Sequence, residues 1–245
     1  MHPPFGLRRR STMTLTLLRS PKTIPEQIAD TCGVMIVDGS FAAGQRMVEQ
    51  QVAEQFGVSR GPVREAFRIL QKRRLIDITP RRGAHVLPIS LASISDLFNV
   101  RMALACLAVR TLGERDREEA ALEKIRVRIE TLAQIAANEE STHLTFGLGM
   151  TRAVHAISQA SGNDLVVQLM REMNEQTLWT TIWRKPLDYA TPAARERRAT
   201  QMRTVWDAIL TGETLTAESR LRILLEESRD GALARLAATR RFEVG

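Results

Sequence analysis

Only two cysteines, Cys32 and Cys106, occur in 245 residues, and they form no evident pairing pattern. That excludes a disulfide-stapled secreted fold and reads most plainly as two reduced thiols in a cytoplasmic protein. No run of eighteen apolar residues is present, so no transmembrane helix is expected. The N-terminus carries Arg8, Arg9 and Arg10 but lacks an apolar stretch followed by a small-residue cleavage site, which argues against export. Missing too are a Gly-rich phosphate loop, a Ser/His/Asp constellation and a carboxylate pair at catalytic spacing. An enzyme is therefore not the expectation. Internal repeats and low-complexity tracts are likewise absent.

What is present is an uneven charge. Met1 to Ser90 hold 14 Lys and Arg against 7 Asp and Glu, whereas Leu91 to Gly245 hold 21 of each. The whole formal net charge of +7 thus belongs to the first part. Basic residues concentrated there suit a polyanion, whose condensed counterions they would release. The length allows two modest domains, each with its own core.

Within the basic part, Val58 to Leu70 is the most informative stretch. Ser59 suits a helix N-cap whose hydroxyl accepts from the first turn, and Pro62 falls where a missing N–H costs little. Val63, Ala66, Phe67 and Leu70 share one apolar stripe at helical spacing. Arg60, Arg64 and Arg68 form a separate row at i, i+4, i+8. Upstream, Val48, Val52 and Phe56 mark another short amphipathic helix, closed by Gly57. The pair reads as a helix-turn-helix whose second helix enters the major groove. Downstream, Leu75 to Thr79, the turn Pro80 to Gly83, and Ala84 to Leu87 make a small hairpin with a basic tip. Ahead of both, Thr23 to Glu26 has the spacing of a capping box, followed by a stripe of Ile24, Ile28, Cys32, Met35 and Ile36. Residues 1–22 show little periodicity and are read as a mobile tail.

Gly57-Val-Ser-Arg-Gly-Pro-Val-Arg-Glu-Ala-Phe67, followed by Arg81-Arg-Gly-Ala-His-Val86, closely resembles the winged helix-turn-helix of the GntR family of bacterial transcriptional regulators. The resemblance implies a homodimer on double-stranded operator DNA. Gln50, Ser59, Arg60 and Arg64 would meet bases or backbone, and Arg81, Arg82 and Gly83 would place the wing. The DNA-binding domain is assigned to residues 23–88.

From residue 91 to 241 everything reads as helix, so the fold class is mainly α: an N-terminal winged helix-turn-helix and a C-terminal all-α antiparallel bundle. Six segments separate at Gly162-Asn163, Lys185-Pro186, Thr191-Pro192 and Thr211-Gly212: roughly Leu91 to Gly113, Asp116 to Asn138, Thr142 to Ala160, Asn163 to Arg184, Pro192 to Leu210, and Thr216 to Arg240. Leu122, Ile125, Ile129 and Leu132 give the second a core face. Arg101, His155, Ser161-Gly-Asn163 and Asp207-Ala-Ile209 resemble landmarks of the ligand-sensing (FCD) domain of the FadR-type branch of that family, in its six-helix, VanR-like form. A small-molecule effector is what this resemblance implies.

Arg101 lies within the apolar stripe of Ile94, Leu97, Phe98, Ala105, Ala108 and Leu112. A guanidinium facing a core needs a partner. That partner is either a Glu on another helix, unless the chain snorkels out, or the carboxylate of an effector held by a bidentate fork. The resembled family often builds a metal site in this bundle from an Asp, and a His four residues on, with two further His. At those places this chain has Thr151, His155, Met202 and Leu224, a set that cannot hold a Zn²⁺-like ion. No metal cofactor is therefore expected. An effector pocket lined by Arg101, Thr151, His155, Met202 and Leu224 should take a carboxylate with one anionic head and an apolar or aromatic body. Met202 and Leu224 also fit as ordinary core residues, and His155 as a core histidine or a donor to ligand. Trp179 and Trp183, an i, i+4 pair, fit core or dimer-interface packing better than stacking on a ligand. The rival readings are a small-molecule enzyme in the bundle and an adaptor that kept the winged fold without binding DNA.

Overall fold

A computed structural model describes residues 22–238 apart from 116–117, 176–178, 180–181 and 184–188. The tail assigned to residues 1–22 falls almost wholly outside these. Among the described residues, helix predominates and the strands are confined to the N-terminal domain.

Helix α1, Ile24–Val37, opens with the expected capping box: Thr23 N–H donates to Glu26, and Thr23 accepts from Glu26 N–H. Its buried face holds Ile28, Ala29, Cys32, Ile36 and Val37, while Ile24, expected on that stripe, is 54% exposed at the first turn. Strand β1, Arg46–Met47, then leads into α2, Glu49–Phe56, which Gly57 ends at φ 64°. Only glycine takes that left-handed value without a Cβ penalty. Helix α3, Arg60–Lys72, buries Val63, Ala66, Phe67 and Leu70, the stripe read from periodicity. Ser59 stands at its N-cap, but its hydroxyl makes no capping bond, contrary to expectation.

The hairpin is β2, Ile76–Thr79, and β3, Gly83–Val86, paired antiparallel from Ile76 opposite Val86 to Thr79 opposite Gly83. A third strand joins them beyond what the sequence pattern suggests. β1 pairs with the free edge of β3, giving the order β1-β3-β2, with Arg46 opposite His85 and Met47 opposite Ala84. The sheet, α1, α2 and α3 enclose one core.

A second core fills the bundle of α4 (Leu91–Gly113), α5 (Glu119–Ala137), α6 (His143–Ala160), α7 (Asp164–Glu175), α8 (Pro192–Leu210) and α9 (Thr214–Ala238). Helix α4 packs against α6, α7 and α9, while α5 packs against α6 and α8. Boundaries match the expected segments within a few residues, and α7 is described as far as Glu175. The rest of the fourth expected segment, to Arg184, lies partly outside the described residues. Helix α4 is long and apolar enough to span a membrane by length and composition alone, yet it is central to this bundle and carries Arg101 inside. Ile89, in the linker, packs against both cores.

Candidate nucleic-acid interface and bundle cavity

In the N-terminal domain, α3 buries its apolar stripe against α1 and thereby turns Arg60, Arg64 and Arg68 outward. Helix α2 holds two of them. Arg60 Nε donates to Gln50 Oε1 at 2.6 Å, and Gln50 Nε2 in turn donates to Glu54 at 2.6 Å. Arg64 Nε lies 2.8 Å from Glu49 Oε2. Exposed pairs of this kind contribute about 0–1 kcal/mol, so a phosphate or base edge can displace them readily. At the wing tip Arg81 adopts φ 66° and Gly83 φ 88°. The tight turn presents Arg81 and Arg82 to solvent. A groove of about 390 Å³ runs between α3 and the wing, bounded by Arg46, Arg64, Arg68, Phe67, Ile78 and Gly83. A Cβ at Gly83 would make only ordinary contact with Arg46, so it is the left-handed φ that calls for glycine there. Of the residues expected to touch DNA, Gln50, Ser59, Arg60, Arg64, Arg81 and Arg82 are exposed and Gly83 partly so. Arg46 joins this face without any signal in the sequence, because only its pairing with β3 brings it there.

In the bundle, Arg101 is 5% exposed. Its Nη1 donates to Asn174 on α7, and its guanidinium carbon lies 3.7 Å from the centre of the Trp179 ring. Among the described residues it meets no carboxylate, so the internal salt bridge allowed by the sequence is absent there. Burial pushes its pKa down to about 9, leaving it charged at neutral pH. Arg198, equally buried, pairs with Glu227. Arg195 is buried as well and donates to the Tyr189 carbonyl.

Arg101 lines a small cavity of about 30 Å³, space for little more than a water or two. Thr151, Met102, Met150, Leu225 and Ser228 also border it, with four rings: Phe98, Trp179, Trp183 and Tyr189. The Trp183 and Tyr189 rings stack 5.0 Å apart at 15°, and Trp179 meets Trp183 edge-on at 5.2 Å. Gly147 on α6 lets Trp183 lie close, since a Cβ there would stand 3.1 Å from the indole. Trp179 Nε1 donates to Thr151, whose hydroxyl donates to the Gly147 carbonyl. Trp183 Nε1 is buried with no hydrogen-bond partner among the described residues.

The lining of this cavity differs from the expected effector set. Met202 and Leu224 are fully buried in the core and do not border the cavity. On α9 the lining residues are Leu225 and Ser228, which lie one and four residues beyond Leu224. His155 does not border it either. It is partly buried, with Nδ1 unpartnered among the described residues. Burial first, then the charges of Arg171 and Arg101, lower its pKa, and Glu175 works in the opposite direction. The Trp pair is core packing and cavity wall at once.

Residues 25–86 match the family described as bacterial regulatory proteins, gntR family, and residues 96–227 match the FCD domain. The HTH-type transcriptional regulator YdhC of Bacillus subtilis (strain 168) is 38% identical over 86 residues, covering 35% of this chain and 38% of that protein. The HTH-type transcriptional repressor RspR of Escherichia coli (strain K12) is 37% identical over 95 residues, covering 39% of this chain and 42% of that one. The chain therefore spans less than half the length of these relatives. Two solved structures share the fold at 16% identity. One is Lar, which controls the expression of the Listeria monocytogenes agr system, with a TM-score of 0.67 over 88% of this chain and 99% of that one. The other is E. coli McbR/YncC, with a TM-score of 0.62 over 89% and 100%.

Proposed function

The chain belongs to the GntR family of bacterial regulatory proteins, with an FCD domain after its helix-turn-helix, and from that premise we propose that it is a DNA-binding transcriptional regulator controlled by a small carboxylate. The observation that carries the first half is the outward row of Arg60 and Arg64 beside the wing-tip pair Arg81 and Arg82. In a homodimer on a pseudo-palindromic operator, each α3 would enter one major groove. Arg60 and Arg64 would reach guanine edges or phosphates, Gln50 and Ser59 neighbouring atoms, and the wing an adjacent groove. Such a protein acts where the chromosome is, in the cytoplasm. No arrangement of groups among the described residues favours the enzyme or adaptor readings.

The second half rests on Arg101, a buried cation whose partners among the described residues are an amide and an aromatic face. A monocarboxylate would supply its missing counter-charge by a bidentate fork. The further carboxylates of citrate would be stranded against Met102, Met150 and Leu225. The effector acts by binding unequally to two placements of the DNA-binding domains.

A metal does not fit the remaining donors. Thr151 commits its hydroxyl to Gly147 and Trp179, Met202 and Leu224 are sealed in the core, and His155 alone offers an imidazole. Untagged protein dialysed without chelator should carry no stoichiometric transition metal. One equivalent per subunit, lost in His155→Ala, would overturn that.

The test of the regulator reading is an anisotropy titration against DNA from upstream of its own gene. Binding should weaken steeply with salt and with Arg60→Ala or Arg64→Ala. Indifference to both sinks it.

A further inference from the structure

The groove between α3 and the wing holds a cation that the recognition helix does not supply. Arg46 comes from β1, and its exposed side chain forms no ion pair among the described residues. Arg60 and Arg64, by contrast, are tied to Gln50 and Glu49 on α2. Pairing with His85 fixes the Arg46 backbone to β3, the strand that leaves the wing tip. Its guanidinium lies against Gly83 at that tip. Arg46 therefore shares a groove of about 390 Å³ with Arg64 and Arg68, over the buried side chains of Met47, Phe67 and Ala84. Glu49 lines the same groove and would repel a phosphate, most of all once Arg64 has left it for DNA. Three guanidinium groups to one carboxylate keep the groove attractive to anions, and Arg46 breaks no ion pair to bind one.

What crosses this groove follows from the docking geometry. In a duplex, a sugar–phosphate strand forms each border between the major and the minor groove. With α3 in the major groove and the wing tip in the adjacent minor groove, the strand separating the two passes between α3 and the wing. Arg46 stands at that crossing. We infer that Arg46 is a further DNA contact, holding a backbone phosphate of this strand by a bidentate fork and reading no base. The inference rests on the DNA-binding reading above and deepens it. Arg46 is set back between helix and hairpin, so its guanidinium meets the phosphate oxygens before any base edge. It ties the strand to the sheet itself, whereas Arg60 and Arg64 act from the helix and Arg81 and Arg82 from the turn.

The experiment is an anisotropy titration of the full-length protein over a range of salt, against two duplexes of equal length. One is the DNA from upstream of its own gene, and the other is a scrambled version of it. Arg46→Gln should weaken binding roughly tenfold per subunit, by the same factor on both duplexes. The slope of log affinity against log salt should become shallower by about one per subunit. Arg46→Lys keeps the charge but loses the fork, so it should restore the wild-type slope and only part of the affinity. The melting temperature of the free protein should be unchanged in both variants. A loss of affinity that follows a fall in melting temperature and persists with an unrestored slope in Arg46→Lys marks a structural role and overturns the contact. A loss confined to the upstream duplex marks base reading and overturns the phosphate assignment. Unchanged affinity and slope in Arg46→Gln, with Arg60→Ala or Arg64→Ala still weakened, overturns the inference and leaves the regulator standing. No salt-dependent binding of wild type to either duplex takes down both.

Discussion

Arg64 on α3 has 60% of its side chain in solvent and Glu49 only 2.8 Å away, whereas Arg101 on α4 is 5% exposed and faces no carboxylate among the described residues. Both are fixed cations on the inner or outer stripe of an amphipathic helix, and the two domains treat them in opposite ways. The N-terminal domain leaves its cations in water, loosely tied to α2, where exchanging one partner for another costs little. The bundle instead withdraws a cation from water and gives it an amide and a ring. Exposed charge of the first kind gives reach towards a large polyanion. Buried charge of the second kind is a demand that a small anion can meet.

The largest effect should fall on the exposed side. Arg60→Ala and Arg64→Ala should each weaken operator binding by about 1–3 kcal/mol if they make bidentate base contacts. Neither should alter the melting temperature of the free protein. If stability falls instead and DNA affinity holds, the comparison is wrong about which charges are structural. The buried side should answer with opposite sign. Arg101→Met removes a buried charge that meets no carboxylate among the described residues, a change at similar volume that is often neutral or stabilising. Loss of the stacking on Trp179 offsets part of the gain. Ligand-free Arg101→Met should therefore be more stable by about 1 kcal/mol in urea unfolding and deaf to carboxylates. A clear destabilisation would mean that Asn174 and Trp179 already satisfy the guanidinium.

The same contrast separates what is legible in the sequence from what is not. The α3 stripe, the capping box at Thr23 and the left-handed Gly57 are local, and periodicity or a single residue type announces them. Arg101 is legible for the same reason, as one polar residue inside an apolar stripe. Strand β1 is not, because two residues become a strand only when β3 arrives from nearly forty positions away. The cavity departs from expectation in a more instructive way. Landmarks assign Met202 and Leu224 to positions along α8 and α9, but which side of a helix borders empty space depends on the rotation of the whole element. The rings that wall the space come from Trp179, Trp183 and Tyr189, whose roles depend on tertiary contact with α4 and α6. No spacing rule joins them to Arg101. That Trp183 Nε1 finds no acceptor among the described residues is likewise a property of the fold alone.

The smallest expected effect ties the cavity to proton uptake. His155 is partly buried on α6, with Arg171 and Arg101 among the charges that lower its pKa and Glu175 opposing them. A histidine whose folded-state pKa lies below the ordinary value of about 6.5 binds protons more readily in the unfolded chain. Stability should thus fall as pH drops from about 6.5 towards the folded value, and be flat above it. His155→Gln should remove that slope. Because Arg101 is one of the depressing charges, neutralising it should raise the His155 pKa by two independent routes: Arg101→Met, or a carboxylate bound at Arg101. With four histidines in the chain, the imidazole signals can be assigned by substitution and titrated by NMR. An upward shift of His155 in both cases would place the bound carboxylate at Arg101 without relying on affinity. A titration midpoint at or above about 6.5 in the free protein, or one indifferent to Arg101, would show that the two groups are electrostatically separate.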